Sequence, residues 1–222
     1  MYIGLEMELN SSEADYQAVE VPGRDGDLII SNNRRKSFVQ EIPVIYTGKY
    51  SDRIKHIDAV RQIMLADDKL HALTFNSEPN FIYQAAFLSS FKVGKNQNES
   101  SQTLQFEMMP YKYLVDGQKS VTVTSGSTLK NIGTIIAKPL IKLTGNGDIV
   151  LKIGSQSVTL KGVDTGIILD SDAQLVTSLD GKRTQFDKMY GDFLTIPVGN
   201  QGISWTGSVS KVEITPHWAV RA

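Results

Sequence analysis

The chain has 222 residues, 41% of them hydrophobic and 21% charged, which predicts a packed core rather than a disordered tract. Its 23 Lys and Arg against 24 Asp and Glu give a formal net charge of -1, which excludes the global basic field of a histone-like or polybasic membrane-binding protein. Cysteine is absent, which excludes disulfides, thiolate zinc sites, Fe–S clusters and cysteine catalysis together.

Ile3, Leu5, Met7 and Leu9 alternate with Tyr2, Gly4, Glu6 and Glu8, the period of a half-buried strand. Glu6 and Glu8 stand where a signal peptide needs an apolar stretch, so no cleaved leader is expected. No run reaches the roughly 18 apolar residues of a membrane span, and no membrane insertion is expected. Val19 and Val21 lead into Pro22-Gly23-Arg24-Asp25-Gly26-Asp27 and then Leu28-Ile29-Ile30. Pro fixes φ, the two glycines offer positive φ, and Asp25 can bond its own backbone, so a strand–turn–strand reversal is predicted. Arg34-Arg35-Lys36 falls in a polar stretch that reads as a basic loop tip, and residues 38–46 read as a further strand.

One helix is predicted, near residues 51–66. Ser51 is its N-cap and Asp52 lies in its first turn, while Ile54, Ile57, Val60, Ile63 and Met64 recur at helical spacing. Strands are predicted at 70–75, 81–87, 89–93 and 103–108. Asp116-Gly117-Gln118-Lys119 reads as a polar hinge, giving two domains, residues 1–115 and 116–222. Beyond the hinge no helical period survives. Short strands are predicted at 121–124, 135–143 (interrupted by Pro139), 149–153, 157–161, 165–170, 173–177, 193–196, 203–206 and 211–218. Such spacing without a helix indicates an antiparallel sandwich or jelly roll.

The chemistry-bearing residues form no catalytic or metal pattern. His56, His71 and His217 are far apart and have no second ligand at helix or hairpin spacing. Asp170-Ser171-Asp172 lacks the glycine and distal Glu of a calcium loop and reads as a turn. Gly145-Asn146-Gly147 lacks the third glycine and following helix of a dinucleotide fingerprint, and Gly48-Lys49 lacks the upstream glycine of a P-loop. Both read as turns. No Gly-x-Ser-x-Gly elbow exists and no carboxylates pair diagnostically, so no enzyme, cofactor or metal is expected. Trp205 and Trp218 are the two tryptophans, sugar-contact candidates if exposed and packing residues if not.

Four ordered segments resemble the distal tail (Dit) proteins of siphophages. Val19-Glu20-Val21-Pro22-Gly23-Arg24-Asp25-Gly26-Asp27-Leu28 is similar to that family's "vPGRDGdL" turn. The helix followed by Leu73-Thr74-Phe75, Glu78-Pro79 and Tyr83 comes next, then Phe106 and Pro110 with Tyr111 and Tyr113. Asn131-Ile132-Gly133-Thr134, Lys138-Pro139, Gly145-Asn146-Gly147, Pro197-Val198-Gly199-Asn200 and Ile203-Ser204-Trp205-Thr206-Gly207 resemble the family's second-domain pattern. Set against that family, the extra opening strand or hairpin is expected to be absent or shortened before residues 1–9.

The resemblance implies a mainly β protein: an N-terminal β-rich domain with one α-helix, and a C-terminal galectin-like antiparallel β-sandwich. It implies a structural hub at the tip of a long non-contractile tail, in the virion, assembled in the cytoplasm of a bacterial host. Its partners would be itself, as a homo-hexameric ring, the tail tube protein, the tail-associated tip protein and a receptor-binding protein. DNA would pass through the channel without specific binding. Gly23, Arg24, Asp25, Gly26, Arg34, Arg35 and Lys36 are the assembly-interface candidates. A carbohydrate-binding module aiding host adsorption is the competing reading, with Trp205 and Trp218 at its site. A hub subunit of a related injection machine is a third.

Overall fold

The computed structural model describes residues 2–3, 7–95 and 99–222. The chain divides into two compact units, residues 1–77, 82–112 and 222, and residues 78–81 and 113–221. The first contains β1 (Tyr2–Ile3), β2 (Ala14–Val19), β3 (Leu28–Arg35), β4 (Phe38–Tyr46), α1 (Tyr50–Met64), β5 (His71–Leu73), β6 (Phe81–Ala86), β7 (Gly94–Lys95) and β8 (Ser100–Leu114). Its main sheet runs β1-β4-β8-β6-β5, with β7 also on β8. The inward positions of β4 and β8 alternate, so Ile42, Val44 and Tyr46 meet Leu104 and Met108 in a buried layer. Tyr46 donates its hydroxyl to Gln102 Oε1 at 2.9 Å, and burial raises its pKa.

Three expectations change in this unit. The opening alternation is strand only at Tyr2–Ile3 on the described side, Gly4, Leu5 and Glu6 lie outside the described residues, and Leu9 is exposed. There the buried Gln40 side chain replaces a ladder: its Nε2 donates to the Glu8 carbonyl and its Oε1 accepts from the Asn10 N–H. Residues 89–93 are not a strand, because Phe91 packs through its ring, edge-on to Phe87 with the Arg61 guanidinium 5.3 Å from its centroid. The helix is capped at Lys49 without a side-chain bond, and its stripe sinks only Ile57 deeply. Ile63 remains exposed, while Arg53 is buried beside the Tyr50 ring.

The second unit opens with a 3-10 turn at Val115–Gln118, followed by β9 (Val121–Val123), β10 (Thr128–Asn131), β11 (Leu140–Ile153), β12 (Gln156–Val163), β13 (Gly166–Asp170), β14 (Leu175–Thr177), β15 (Met189–Tyr190), β16 (Gly199–Thr215) and β17 (Ala219–Arg221). The expected hinge is thus a packed turn. Gly117 is buried, a Cβ on it would lie 2.5 Å from the Trp218 nitrogen, and its carbonyl accepts from the His217 N–H.

Four short strands expected here are two long ones. β11 joins the predicted 135–143 and 149–153 segments, and β16 joins 203–206 with most of 211–218. They pair along their length, but the register breaks between Asn146 and Val150. Before the break, β11 lies between β16 and β13; after it, between β16 and β12. The two halves feed one core, where Ile141, Leu143, Ile149, Leu151, Ile153, Ile167, Val212 and Ile214 are sealed from solvent. This is an antiparallel sandwich whose sheets share two bent strands. Residues 193–196 form no strand; only an isolated bridge joins Ile196 to Ala137.

Glycine makes the bend. A Cβ on Gly145 would lie 2.4 Å from the Ser208 carbonyl oxygen, and one on Gly207 (φ +101°) 2.4 Å from that of Asp148. The Gly145-Asn146-Gly147 segment is therefore a strand corner, not the turn that its composition predicts.

Candidate assembly surface

β2 and β3 pair only with each other among the described residues. The register Val19↔Leu28, Ala18↔Ile29, Gln17↔Ile30 and Tyr16↔Ser31 places Val19, Leu28 and Ile30 on one face and Ile29 and Tyr16 on the other. All five side chains are exposed, Ile29 at 59% and Tyr16 at 53%. An isolated two-stranded hairpin is marginal in water. This one also presents apolar side chains on both faces and free backbone groups on both edges. Six residues of β2 give it a length of about 20 Å.

The arm's end is the Pro22–Asp27 turn, with Gly23 at φ +81° and Gly26 at φ +77°. Open space surrounds a Cβ at either glycine, so backbone conformation alone accounts for them. Arg24 and Asp25 are exposed beside them.

Arg34-Arg35-Lys36 is not a loop tip. It lies at the opposite end, at the root of the arm. There three residues of β3 bulge opposite Asp15, with Asn33 at φ 54°. Arg34 Nε donates to Asp15 Oδ2 at 2.5 Å, and this bond, ahead of Asn32 and the nearby positive charges, lowers the Asp15 pKa. Arg35 Nε donates to Ser12 Oγ at 2.8 Å, its guanidinium also bonds the Ser12 carbonyl, and Lys36 N–H donates to the Glu13 carbonyl. Buried Ser12 passes the connection on, donating its hydroxyl to the Ala222 carbonyl at 2.9 Å. The cluster anchors the arm, and sequence pattern alone missed it because the hairpin between its members separates them by 19 and 23 positions.

An apolar groove of about 610 Å³ lies elsewhere on the first unit, between the end of α1 and the sheet. Ile63, Met64, Leu73, Ala85, Phe87 and Phe106 line it. Its signal in the sequence was the unburied half of the helical stripe.

In the second unit, Trp218 is 5% exposed and belongs to the core, outside any strand, while Trp205 on β16 is half-buried against that core. The burial of Trp218 denies it the free ring face that sugar contact needs. Asn131, 1% exposed, ties its loop together: its Nδ2 donates to the carbonyls of Ile135 and Ile196, and its Oδ1 accepts from the Gly133 N–H. Asp170 Oδ1 accepts from the N–H groups of Asp172 and Ala173, the turn its composition predicts. His71 bonds Asp67 at 2.7 Å and lowers its pKa, and His217 Nδ1 lies 3.0 Å from the Lys138 carbonyl. Among the described residues no three acidic or histidine side chains gather to hold a metal, and no helix is long and apolar enough to cross a membrane.

No family model matches the sequence, and no curated protein matches it. Solved structures do. The Dit protein of phage SPP1, described as a paradigm of the hub adsorption apparatus in phages infecting Gram-positive bacteria, aligns with a TM-score of 0.73 at 18% identity over 96% of this chain and 92% of its own. The phage P2 baseplate in its activated conformation with Ca aligns at 0.52, with 8% identity over 96% and 88% of the two chains. Its form with Sr aligns at 0.53, with 10% identity over 92% and 86%. The mainly β architecture, with one α-helix among the described residues, is the fold that this chain shares with these phage Dit and baseplate proteins.

Proposed function

We propose that this chain is the structural hub of a siphophage or prophage tail tip, without catalytic activity of its own. In this reading six copies close a ring through residues 1–115, joining the tail tube to the tail-associated tip protein around a channel for DNA. Residues 116–222, a galectin-like sandwich, face outward toward receptor-binding components. Assembly takes place in the host cytoplasm.

The arm formed by β2 and β3 is the observation that carries the reading. It is anchored at its root, apolar on both faces and long enough to reach a neighbour. The occupant it requires is a second copy, because the same unit bears an apolar groove of matching chemistry at a different place. A contact between two different patches of identical chains is head-to-tail, and such contacts make a ring where the rotation between copies closes. Each arm would bury its isoleucines in the groove beside the next copy's α1.

Negative-stain imaging and light scattering of the concentrated chain test this. A hexamer mass and ring images are expected. Ile29→Asp with Ile30→Asp puts one charge on each exposed face of the arm, and should leave the circular dichroism unchanged while giving monomers. Intact rings from the double variant would refute the role of the arm, and a wild-type chain that stays monomeric with its tip partner would refute the ring.

A further inference from the structure

Four Asp-Gly or Asn-Gly pairs occur in the chain: Asp25-Gly26, Asp116-Gly117, Asn146-Gly147 and Asp180-Gly181. In such a pair no glycine side chain shields the backbone nitrogen, which can attack Cγ of the preceding residue and close a five-membered succinimide. The attack needs a side chain and a backbone free to meet, since a group held out of line loses the advantage of proximity.

Three of the pairs are held. Lys119 Nζ donates to Asp116 Oδ1 at 2.6 Å, and Gly117 is buried with its carbonyl accepting from the His217 N–H. Asp180 Oδ1 accepts from Ser178 Oγ and from the Lys182 N–H, while the Gly181 N–H, the attacking group itself, donates to the Ser178 carbonyl at 2.8 Å. Asn146 Oδ1 accepts from the Thr165 N–H at 2.9 Å, and Gly147 is fixed in register opposite Val163 between β11 and β12.

Asp25-Gly26 is not held. The reversal at the end of the arm has two halves. The first is a type II turn, with Pro22 and Gly23 (φ +81°) as its central residues and the Arg24 N–H donating to the Val21 carbonyl at 3.1 Å. In the second half, neither the Asp25 carboxyl nor the Gly26 N–H makes a hydrogen bond among the described residues. Both residues are exposed, and a Cβ on Gly26 would meet nothing within 4 Å.

We propose that Asp25 is a site of spontaneous succinimide formation and isomerisation to isoaspartate. The Gly26 nitrogen bonds to Asp25 Cγ, and the carboxyl hydroxyl leaves with the amide hydrogen as water. A solvent water then adds to one carbonyl of the ring. Opening at the side-chain carbonyl restores aspartate, and opening at the backbone carbonyl leaves isoaspartate, with no redox change and no net change of mass. The main chain then runs through the Asp25 β-carbon, one methylene longer, just before the Val19↔Leu28 pair that closes the arm. Old chains would thus carry an altered arm end that new ones lack. The chemistry does not depend on ring formation.

Lysyl endopeptidase places the four pairs in separate peptides, residues 1–36, 113–119, 143–152 and 162–182. The full chain is aged for weeks at neutral pH and body temperature. Isoaspartate in each peptide is then read by enzymatic carboxyl methylation and located by electron-transfer fragmentation. Each bond that must first break slows ring closure by up to about tenfold. Residues 1–36 should therefore carry about tenfold more isoaspartate than 113–119 or 162–182, at Asp25 and at unchanged mass, and more than 143–152. Asp25→Glu, whose imide would need a six-membered ring, should abolish the signal. In guanidinium chloride, where every restraint is lost, Asn146 should overtake Asp25, because an amide expels ammonia more readily than a carboxylate at neutral pH expels water. Isoaspartate that is absent from residues 1–36, unaffected by Asp25→Glu, or no more abundant there than in the other peptides of the folded chain would overturn the proposal. An unchanged order in guanidinium chloride would overturn it too, since local sequence rather than the fold would then set the rates.

Discussion

Three glycines at the bend of β11 and β16 separate the two ways in which a glycine can be required. Gly147 has φ +78° and open space around a Cβ, so Gly147→Ala tests backbone conformation alone. Gly145 has no positive φ but would drive its Cβ to 2.4 Å from the Ser208 carbonyl oxygen, so Gly145→Ala tests close approach alone. Gly207 carries both burdens, φ +101° and 2.4 Å to the Asp148 carbonyl oxygen. A left-handed alanine costs about 1 kcal/mol, and over-packing against backbone costs about 1–3 kcal/mol. Gly207→Ala should therefore lose about 3 kcal/mol, Gly145→Ala about 2 and Gly147→Ala about 1. Both tryptophans of the chain lie in this unit, so urea unfolding followed by indole fluorescence reports on it selectively. At a slope of about 2 kcal/mol/M the Gly207→Ala midpoint should fall by about 1.5 M. If Gly207→Ala is no more costly than Gly147→Ala, the corner is not held by close backbone contact and the reasoning fails.

Asp15 should make the arm's anchorage acid-sensitive. Its pKa is lowered in the folded chain by Arg34, so its contribution is complete above the ordinary carboxylate value and disappears as pH falls through the lowered one. Amide exchange in β2 and β3 should accelerate there, and Asp15→Asn should remove that pH dependence; an unchanged profile would show that the pair does not anchor the arm. Asn131→Ala strips hydrogen bonds from the Ile135 and Ile196 carbonyls and from the buried Gly133 N–H, and should cost about 3 kcal/mol by calorimetry. A loss under about 1 kcal/mol would mean that the loop relaxes to satisfy them.

Strand and helix content was legible wherever one face of an element meets a core. The apolar, β-branched run at 38–46 gave β4, which buries one face. Strand count in the second unit was not legible. Gly145-Asn146-Gly147 and the stretch around Gly207 look like turns in isolation, and only the pairing of β11 with β16 shows that the chain bends without reversing. Arg34 and Arg35 were misplaced for a related reason: local sequence records three basic residues but not the bulge that turns them back on Asp15 and Ser12.

The second unit begins and ends at one place. Leu114 N–H donates to the Trp218 carbonyl at 2.8 Å, and the His217 N–H donates to the Gly117 carbonyl at 2.8 Å. Entry and exit this close make residues 114–218 a cassette whose two ends meet. A cassette of this kind can be exchanged, enlarged or deleted with little demand on the flanking fold, as tolerated domain insertions generally require. Residues 115–218 are the block that such an exchange would replace, and none of them takes part in the Asp15–Arg34 and Ser12–Arg35 bonds that anchor the arm.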